Sequence, residues 1–190
     1  MDPLRVLIVP GSARTGSFNL KLAHAAEALL REQGAEPVVS DLRALELPIY
    51  DGDLEAAEGV PDGARALLAQ FAWAQAVVVV SPEYNAFPPP LLMNAIDWVS
   101  RLAEHKAAMN GKPTALLSAS PGMLGGIRSL LALRQFLSLN LGMLVLPQQL
   151  GVSQASKAFA DDGRLADDKQ QQALQGVLSA LLKTTQALKA

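Results

Sequence analysis

The sequence predicts an α/β fold in which helices cover both faces of a doubly wound, five-stranded parallel sheet. Five short runs rich in leucine or β-branched residues alternate with longer segments of helical spacing, a pattern typical of parallel sheets. The runs start roughly 30–40 residues apart, which is the length of one strand–helix–strand unit. Half of the 190 residues are apolar, and no repeat, low-complexity tract or linker interrupts the chain. We therefore expect residues 1–190 to form a single domain.

The five predicted strands share short, mainly apolar sequence, and they cover residues 4–10, 36–42, 75–81, 113–119 and 142–147. The first and third runs are almost continuously apolar, as expected of strands that are covered on both faces. Parallel neighbours are joined by crossover connections, and these connections are nearly always right-handed. A helix is therefore expected after each strand.

Five segments with helical spacing occupy residues 18–33, 61–74, 89–103, 126–140 and about 164–188. The first segment stops at Gly34, and the second and third begin at prolines, which favour the first turn of a helix. Two of the helices, 91–103 and 127–141, are apolar around most of their circumference, so each is expected to be buried on two sides. The second side is expected to contact another copy of the chain. The alternative is a thick single-chain core beneath the C-terminal helix.

The composition excludes several classes of function. Sixteen Lys and Arg against eighteen Asp and Glu give a net charge of −2, which offers no basic face for nucleic acid. The absence of cysteine excludes disulfides, thiolate metal sites and cysteine nucleophiles. Only His24 and His105 are present, neither at ligand spacing, so no metal site is expected. The first apolar run is shorter than the roughly 7–15 residues of a signal-peptide core, and no run approaches the roughly 20 residues of a membrane span. These observations predict a soluble, cytoplasmic protein.

The loop after the first predicted strand has the composition of a phosphate-binding loop. Residues 11–19, GSARTGSFN, supply two glycines, three hydroxyls, Arg14 and an amide at the start of a helix. No carboxylate occurs between residues 3 and 26. Phosphates bind where helix N–H groups and cationic side chains converge without negative charge. The alternative is a simple helix cap by Ser17 or Asn19, which leaves Arg14 and the other hydroxyls unexplained.

The same loop indicates which phosphate it takes. The spacing of Gly11 and Gly16 imitates a nucleoside-triphosphate loop, but Ser17 stands where that motif needs its lysine. Ala13 occupies the second glycine of the dinucleotide fingerprint. A ligand with one terminal phosphate therefore fits best.

Two further loops are predicted to lie on the same edge of the sheet. Residues 81–90, SPEYNAFPPP, combine prolines that restrict the backbone with Tyr84 and Phe87, which offer flat surfaces to an aromatic ring. The alternative for this loop is a proline-stiffened turn with ordinary aromatic packing. Residues 118–126 add hydroxyls and glycines. Because ligands of open parallel sheets bind beyond the carboxyl ends of the strands, the three loops are expected to form one site.

These motifs together resemble the NADPH-dependent FMN reductase family. The resemblance rests on GSARTGSFN, on SPEYN at 81–85, on NAIDWVSR at 94–101 and on GGIRSLLALRQFL at 125–137. It implies a flavodoxin-like fold, FMN as cofactor and NADPH or NADH as electron donor. It also implies small, flat electron acceptors (quinones, azo dyes, chromate or free flavin) and assembly into homodimers or homotetramers.

The resemblance implies cofactor-binding roles for nine residues. Those expected to hold the FMN phosphate are Ser12, Arg14, Ser17 and Asn19. Those expected to lie along the isoalloxazine ring are Pro82, Glu83, Tyr84 and Asn85, and Ser118 is expected to touch the flavin or its ribityl chain. The sequence departs from the family pattern at Pro90, Met93 and Leu131, which bears on tetramer contacts and substrate preference.

The resemblance implies an enzyme in which no catalytic side chain is needed, because flavin carries the hydride. NAD(P)H is expected to reduce the flavin and leave before the acceptor takes its place. The first alternative is a flavodoxin-type electron carrier that takes no nicotinamide; such carriers tend to be strongly acidic for docking, unlike this chain. The second is a regulatory module that senses a phosphorylated ligand.

Overall fold

Each of the five apolar runs contributes a strand to one parallel sheet in the computed structural model, which describes residues 2–189. The strands are β1 (Arg5–Pro10), β2 (Glu36–Val39), β3 (Ala76–Val80), β4 (Pro113–Ala119) and β5 (Leu144–Val152). Their order is β2-β1-β3-β4-β5, and every neighbouring pair is parallel. The chain thus winds first to one side of β1 and then to the other, which confirms the doubly wound topology.

The helices connect and cover these strands. They are α1 (Phe18–Glu32), α2 (Gly52–Glu58), α3 (Asp62–Trp73), α4 (Pro90–Val99), α5 (His105–Met109), α6 (Ile127–Leu141) and α7 (Asp168–Ala187). The five predicted helices are confirmed, although α4 ends earlier than expected, at Val99. Helices α2 and α5 are not predicted from the sequence, because they have only seven and five residues and are too short for a clear periodicity.

The alternating side chains of the central strands divide the core into two layers. Leu7 and Val9 of β1 point into the layer formed with α3, α4 and α6. Val6 and Ile8 point into the opposite layer, formed with α1 and α7. Both faces of the sheet are therefore covered, as continuous apolar strands predict.

The C-terminal helix lies on the opposite face of the sheet from α4 and α6. Helix α7 packs with α1 through residues such as Leu174 and Leu178. Leu131 and Leu139 of α6 remain 59% and 74% exposed. The alternative of a thick single-chain core beneath the C-terminal helix is therefore wrong, and the outer face of α6 presents Leu131 and Leu139 to solvent beside polar side chains.

Within residues 2–189, no helix is both long and apolar enough to cross a membrane.

Candidate functional site

Three loops meet at the edge of the sheet where β1, β3 and β4 end. The Gly11 N–H donates to the Val80 carbonyl at 2.9 Å, and the Ser81 N–H donates to the Leu117 carbonyl at 2.8 Å. These bonds bring the three strand ends to the same level. The strand order reverses between β1 and β3, which is where open parallel sheets bind ligands.

The loop after β1 delivers backbone N–H groups to this edge. Ser17 is buried and caps α1, since its Oγ accepts from the Leu20 N–H at 3.4 Å. The first turn of α1 contains no acidic residue. Gly16 has a φ of 70°, which favours glycine, and a Cβ at Gly11 would lie 3.2 Å from Leu92 Cβ. The loop therefore passes close to α4 and presents a positive helix end without a counter-charge.

Of two predicted ligands in this loop, Arg14 is open to solvent and Ser12 is partly buried. The guanidinium carbon of Arg14 lies 5.8 Å from the centroid of the Phe18 ring. Among residues 2–189, no carboxylate forms an ion pair with Arg14. Its positive charge is thus left for an anion that the protein does not itself supply.

Asn19 acts as a brace between α1 and β4. Its side-chain Nδ2 donates to the Ala119 carbonyl at 2.9 Å, and its Oδ1 accepts from the Ala119 N–H at 2.9 Å. The residue is only 4% exposed. The structure thus gives this predicted phosphate ligand a different set of partners: both polar groups of the amide already satisfy buried backbone.

The loop after β3 contains a tight turn that displays two aromatic rings. Tyr84 and Phe87 exchange backbone hydrogen bonds of 2.9 and 3.0 Å across the turn. Asn85 and Ala86, the two central residues, have φ values of 54° and 65°. Two consecutive positive φ values are typical of a type I′ turn. The turn fixes the backbone, and Tyr84 and Phe87 are 52% and 58% exposed.

Glu83 ties this loop to the start of α6. Its carboxylate accepts from the Arg128 N–H at 3.1 Å, from the Ser129 N–H at 3.3 Å and from the Arg128 guanidinium. The Glu83 side chain is 9% exposed. Burial acts to raise the pKa of Glu83, but the hydrogen bonds from Arg128 and Ser129 outweigh it, and the pKa lies below its usual value. Gly126 is the N-cap residue of α6 and has no side chain to accept from the first N–H groups of the helix, so the Glu83 carboxylate accepts from them instead.

The loop after β4 is folded back onto the sheet. The fully buried Ser118 donates its hydroxyl hydrogen to the Gly125 carbonyl at 2.6 Å. Gly125 and Gly126 have φ values of 60° and 85°, and a Cβ at Gly126 would lie 3.0 Å from Ser118 Cβ. Both glycines are therefore needed for conformation, and Gly126 also for the close approach.

The structure places all nine sequence-predicted residues at one edge of the sheet: seven lie on the loops after β1 and β3, Asn19 in the first turn of α1 and Ser118 near the end of β4. Their binding roles remain predictions. Side chains expected to face a ligand divide into two groups. Within residues 2–189, the side chains of Arg14 and Ser12 have no hydrogen-bond or ion-pair partner, whereas those of Asn19, Glu83 and Ser118 are bonded to the protein's own backbone. The bracing contacts of Asn19 and Glu83 could not be predicted from the sequence, because they join residues that are 100 and 45 positions apart in the chain. Within residues 2–189, no group of metal-binding side chains is assembled.

Comparison with known proteins agrees with this geometry. The family model described as NADPH-dependent FMN reductase matches residues 4–157. A quinone reductase of Escherichia coli is 35% identical over 99% of this chain and 98% of its own length. An NAD(P)H-dependent FMN reductase of Pseudomonas aeruginosa is 36% identical over 95% of this chain and 94% of its own.

A solved structure shares the whole architecture. The flavoenzyme FerB of Paracoccus denitrificans, an NAD(P)H:(acceptor) oxidoreductase, superimposes with a TM-score of 0.84 at 29% identity. The match covers 97% of this chain and 98% of FerB. The fold is therefore flavodoxin-like, as the resemblance implies.

Proposed function

Since the chain belongs to the NADPH-dependent FMN reductase family, we propose that its three edge loops hold the FMN through which it transfers electrons. The protein is an FMN-dependent NAD(P)H oxidoreductase. The observation that carries the assignment of the site is the loop at residues 11–17, where a positive helix end and the unpaired Arg14 meet without a carboxylate. This is the environment that a single terminal phosphate requires.

At the phosphate end, Ser12, Arg14 and Ser17 are the proposed ligands. Ser17 suits both of its roles: its Oγ accepts from the Leu20 N–H, which leaves the hydroxyl hydrogen for a phosphate oxygen. Arg14 contributes a charge-assisted hydrogen bond, and the α1 dipole adds to the field. Asn19 supports this end by fixing the first turn of α1 to β4.

At the ring end, residues 82–85 are proposed to lie along the isoalloxazine. The N–H groups of Tyr84 and Phe87 bond within the turn, whereas those of Glu83 and Asn85 have no acceptor within residues 2–189. They are proposed to donate to the polar edge of the ring, where negative charge develops on reduction. Glu83 and Ser118 hold these loops in place through their side chains. FMN, when bound, accepts a hydride from NAD(P)H and passes two electrons to the acceptor.

The acceptors we propose are quinones and free flavin. The exposed Tyr84 and Phe87 rings present a flat and open surface, which suits planar oxidants more than a single shaped substrate. The E. coli relative is a quinone reductase and the P. aeruginosa relative is an FMN reductase. We propose a cytoplasmic location, which would give the enzyme a supply of NAD(P)H.

We also propose that two copies of the chain pair through the apolar face of α6. Leu131 and Leu139 are both more than half exposed and would be covered in a homodimer. Analytical ultracentrifugation measures this directly. A dimer that Leu139→Lys converts to monomer supports the proposal, and a monomeric wild type refutes it.

Anaerobic titration of the FMN-loaded protein with NADPH tests the assigned activity. Stoichiometric loss of the flavin absorbance near its visible maximum, followed by its return when a quinone is added, is the expected result. Persistence of the yellow colour indicates an electron carrier, and a protein that shows no spectral change with FMN indicates a regulatory module. Double-reciprocal plots should be parallel, because donor and acceptor occupy the same face in turn.

A further inference from the structure

A second cleft lies between the loop after β1 and the residues that follow β2, next to the phosphate end of the proposed flavin site. Its volume is ≈ 390 Å³. Part of its wall comes from the loop after β1 and part from the end of β2 and the residues that follow: Ser12, Arg14, Thr15, Ser40, Asp41 and Arg43. Because β2 and β3 flank β1 on opposite sides, this cleft is separate from the loops after β3 and β4.

The charges around the cleft favour an anion. Two arginines, Arg14 and Arg43, line it against the single carboxylate of Asp41, and Arg14 is also a proposed ligand of the FMN phosphate. The Asp41 carboxylate accepts from the N–H groups of Arg43 and Ala44, at 2.9 and 3.3 Å, so it caps its own turn. Among residues 2–189, neither Arg14 nor Arg43 forms an ion pair.

A buried hydroxyl in the cleft wall lacks a partner. Ser40 is 2% exposed, and its Oγ has no hydrogen-bond partner within residues 2–189. Its backbone is fixed, since the Ser40 N–H donates to the Ile8 carbonyl at 2.8 Å. Buried hydroxyls are normally hydrogen-bonded, so an unpaired one in a cleft that Arg43 also lines indicates a place for a ligand oxygen.

We propose that this cleft binds the 2′-phosphate of NADPH and that Arg43 is the residue that distinguishes NADPH from NADH. The proposal rests on the proposed function. An arginine near the end of the second strand is suitably placed to neutralise a ribose 2′-phosphate. The strands β2 and β3 are two strand spacings apart, roughly 10 Å. A dinucleotide whose adenosine end lies in this cleft can therefore extend over β1 to the loops after β3 and β4.

Calorimetric titration of the FMN-loaded protein tests this assignment without turnover. The probes are adenosine 2′,5′-bisphosphate, adenosine 5′-monophosphate and inorganic phosphate. We expect the bisphosphate to bind about 10-fold or more tightly than the monophosphate, as one charge-assisted contact predicts. Arg43→Ala should remove that difference, and Ser40→Ala should reduce it by about 3- to 10-fold. Arg65→Ala, a change at an exposed arginine on α3, is the matched control and should leave every affinity unchanged.

The kinetic readout is the ratio of kcat/KM for NADPH to that for NADH. It should fall about 10-fold or more in Arg43→Ala. The proposal is overturned if the wild type binds the bisphosphate and the monophosphate equally. It is also overturned if the Arg43→Ala variant keeps the wild-type preference for NADPH over NADH. Loss of FMN from Arg43→Ala also overturns it, because the cleft would then belong to the flavin phosphate. Failure of the proposed function is distinguishable, since it shows as absent FMN binding or absent bleaching by either nucleotide.

Discussion

Substitution of Asn19 by alanine tests whether this residue braces α1 against β4 or binds the FMN phosphate. The side-chain amide supplies two buried hydrogen bonds of 2.9 Å to the backbone of Ala119. Asn19→Ala removes both and leaves a buried N–H and a buried carbonyl without partners. Each loss costs about 1–3 kcal/mol, and water entering the space offsets part of it. We therefore expect the apoprotein to lose about 2–4 kcal/mol of its free energy of unfolding, a large share of the roughly 5–15 kcal/mol typical of domains.

Urea unfolding of the apoprotein measures this loss, because no FMN is present to report a ligand effect. Fluorescence of the buried Trp98 provides one signal, and circular dichroism provides a second that tests for two-state behaviour. The control is Gln172→Ala, an exposed amide on α7, which should stay within about 0.5 kcal/mol of wild type. The brace is refuted if the Asn19→Ala apoprotein is as stable as wild type while its FMN dissociation constant rises 10-fold or more, since Asn19 would then act as a ligand.

Three further substitutions test the two ends of the site. Arg14→Ala should weaken FMN binding by roughly 10- to 150-fold, the equivalent of about 1.5–3 kcal/mol for one charge-assisted phosphate contact, and unchanged FMN retention in fluorescence titration would count against its role. Ala86→Gly should stabilise the protein by about 0.5–1 kcal/mol in urea unfolding, because Ala86 has a φ of 65° that glycine adopts freely; a loss of stability would contradict the type I′ geometry. Glu83→Gln should destabilise the protein by about 1 kcal/mol at pH 7. Because the pKa of Glu83 is lowered from 4.5, its contribution is present above that pH and is lost as the pH falls below it. The stability difference between wild type and Glu83→Gln should therefore close as the pH falls below 4.5 and through the lower pKa of the folded protein, and a difference that stays constant in acid would be inconsistent with the carboxylate contacts.

The strands and long helices are predictable from the sequence because each contains a strong local signal. All five residues of the run at 76–80 are apolar and buried, and a continuously apolar run is typical of a central strand of a parallel sheet. The last strand is harder. It extends from Leu144 to Val152, past the exposed Pro147 and Gln148, because an edge strand tolerates polar residues and proline. Its pairing with β4 also shifts register between Thr114 and Leu116.

The site was predictable in its positions but not in all its side-chain partners. Topology alone places the loops after β1, β3 and β4 at one edge, so the residues on them follow from the order of elements. The hydrogen-bond partners of these residues cannot be deduced from the order of elements. Asn19 bonds to Ala119, 100 residues away, and Glu83 bonds to Arg128, 45 residues away. No local pattern marks such pairs, because the same side chains on the same loops are equally suited to a ligand. Only the folded geometry decides which are already satisfied.

Side chains that brace the loops and side chains that are left for a ligand are expected to respond differently to substitution. The side chains of Asn19, Glu83 and Ser118 are bonded to backbone groups on another element or further along their own loop, so these residues stabilise the loops before a flavin arrives. The donors left for the ring are then backbone N–H groups, whose positions depend on those braces. Replacing a brace is therefore expected to change stability and flavin affinity together, whereas replacing Arg14 is expected to change affinity alone. A pre-formed cradle of this kind lowers the entropic cost of ordering loops on binding. It also leaves the open aromatic surface free to accept oxidants of differing shape.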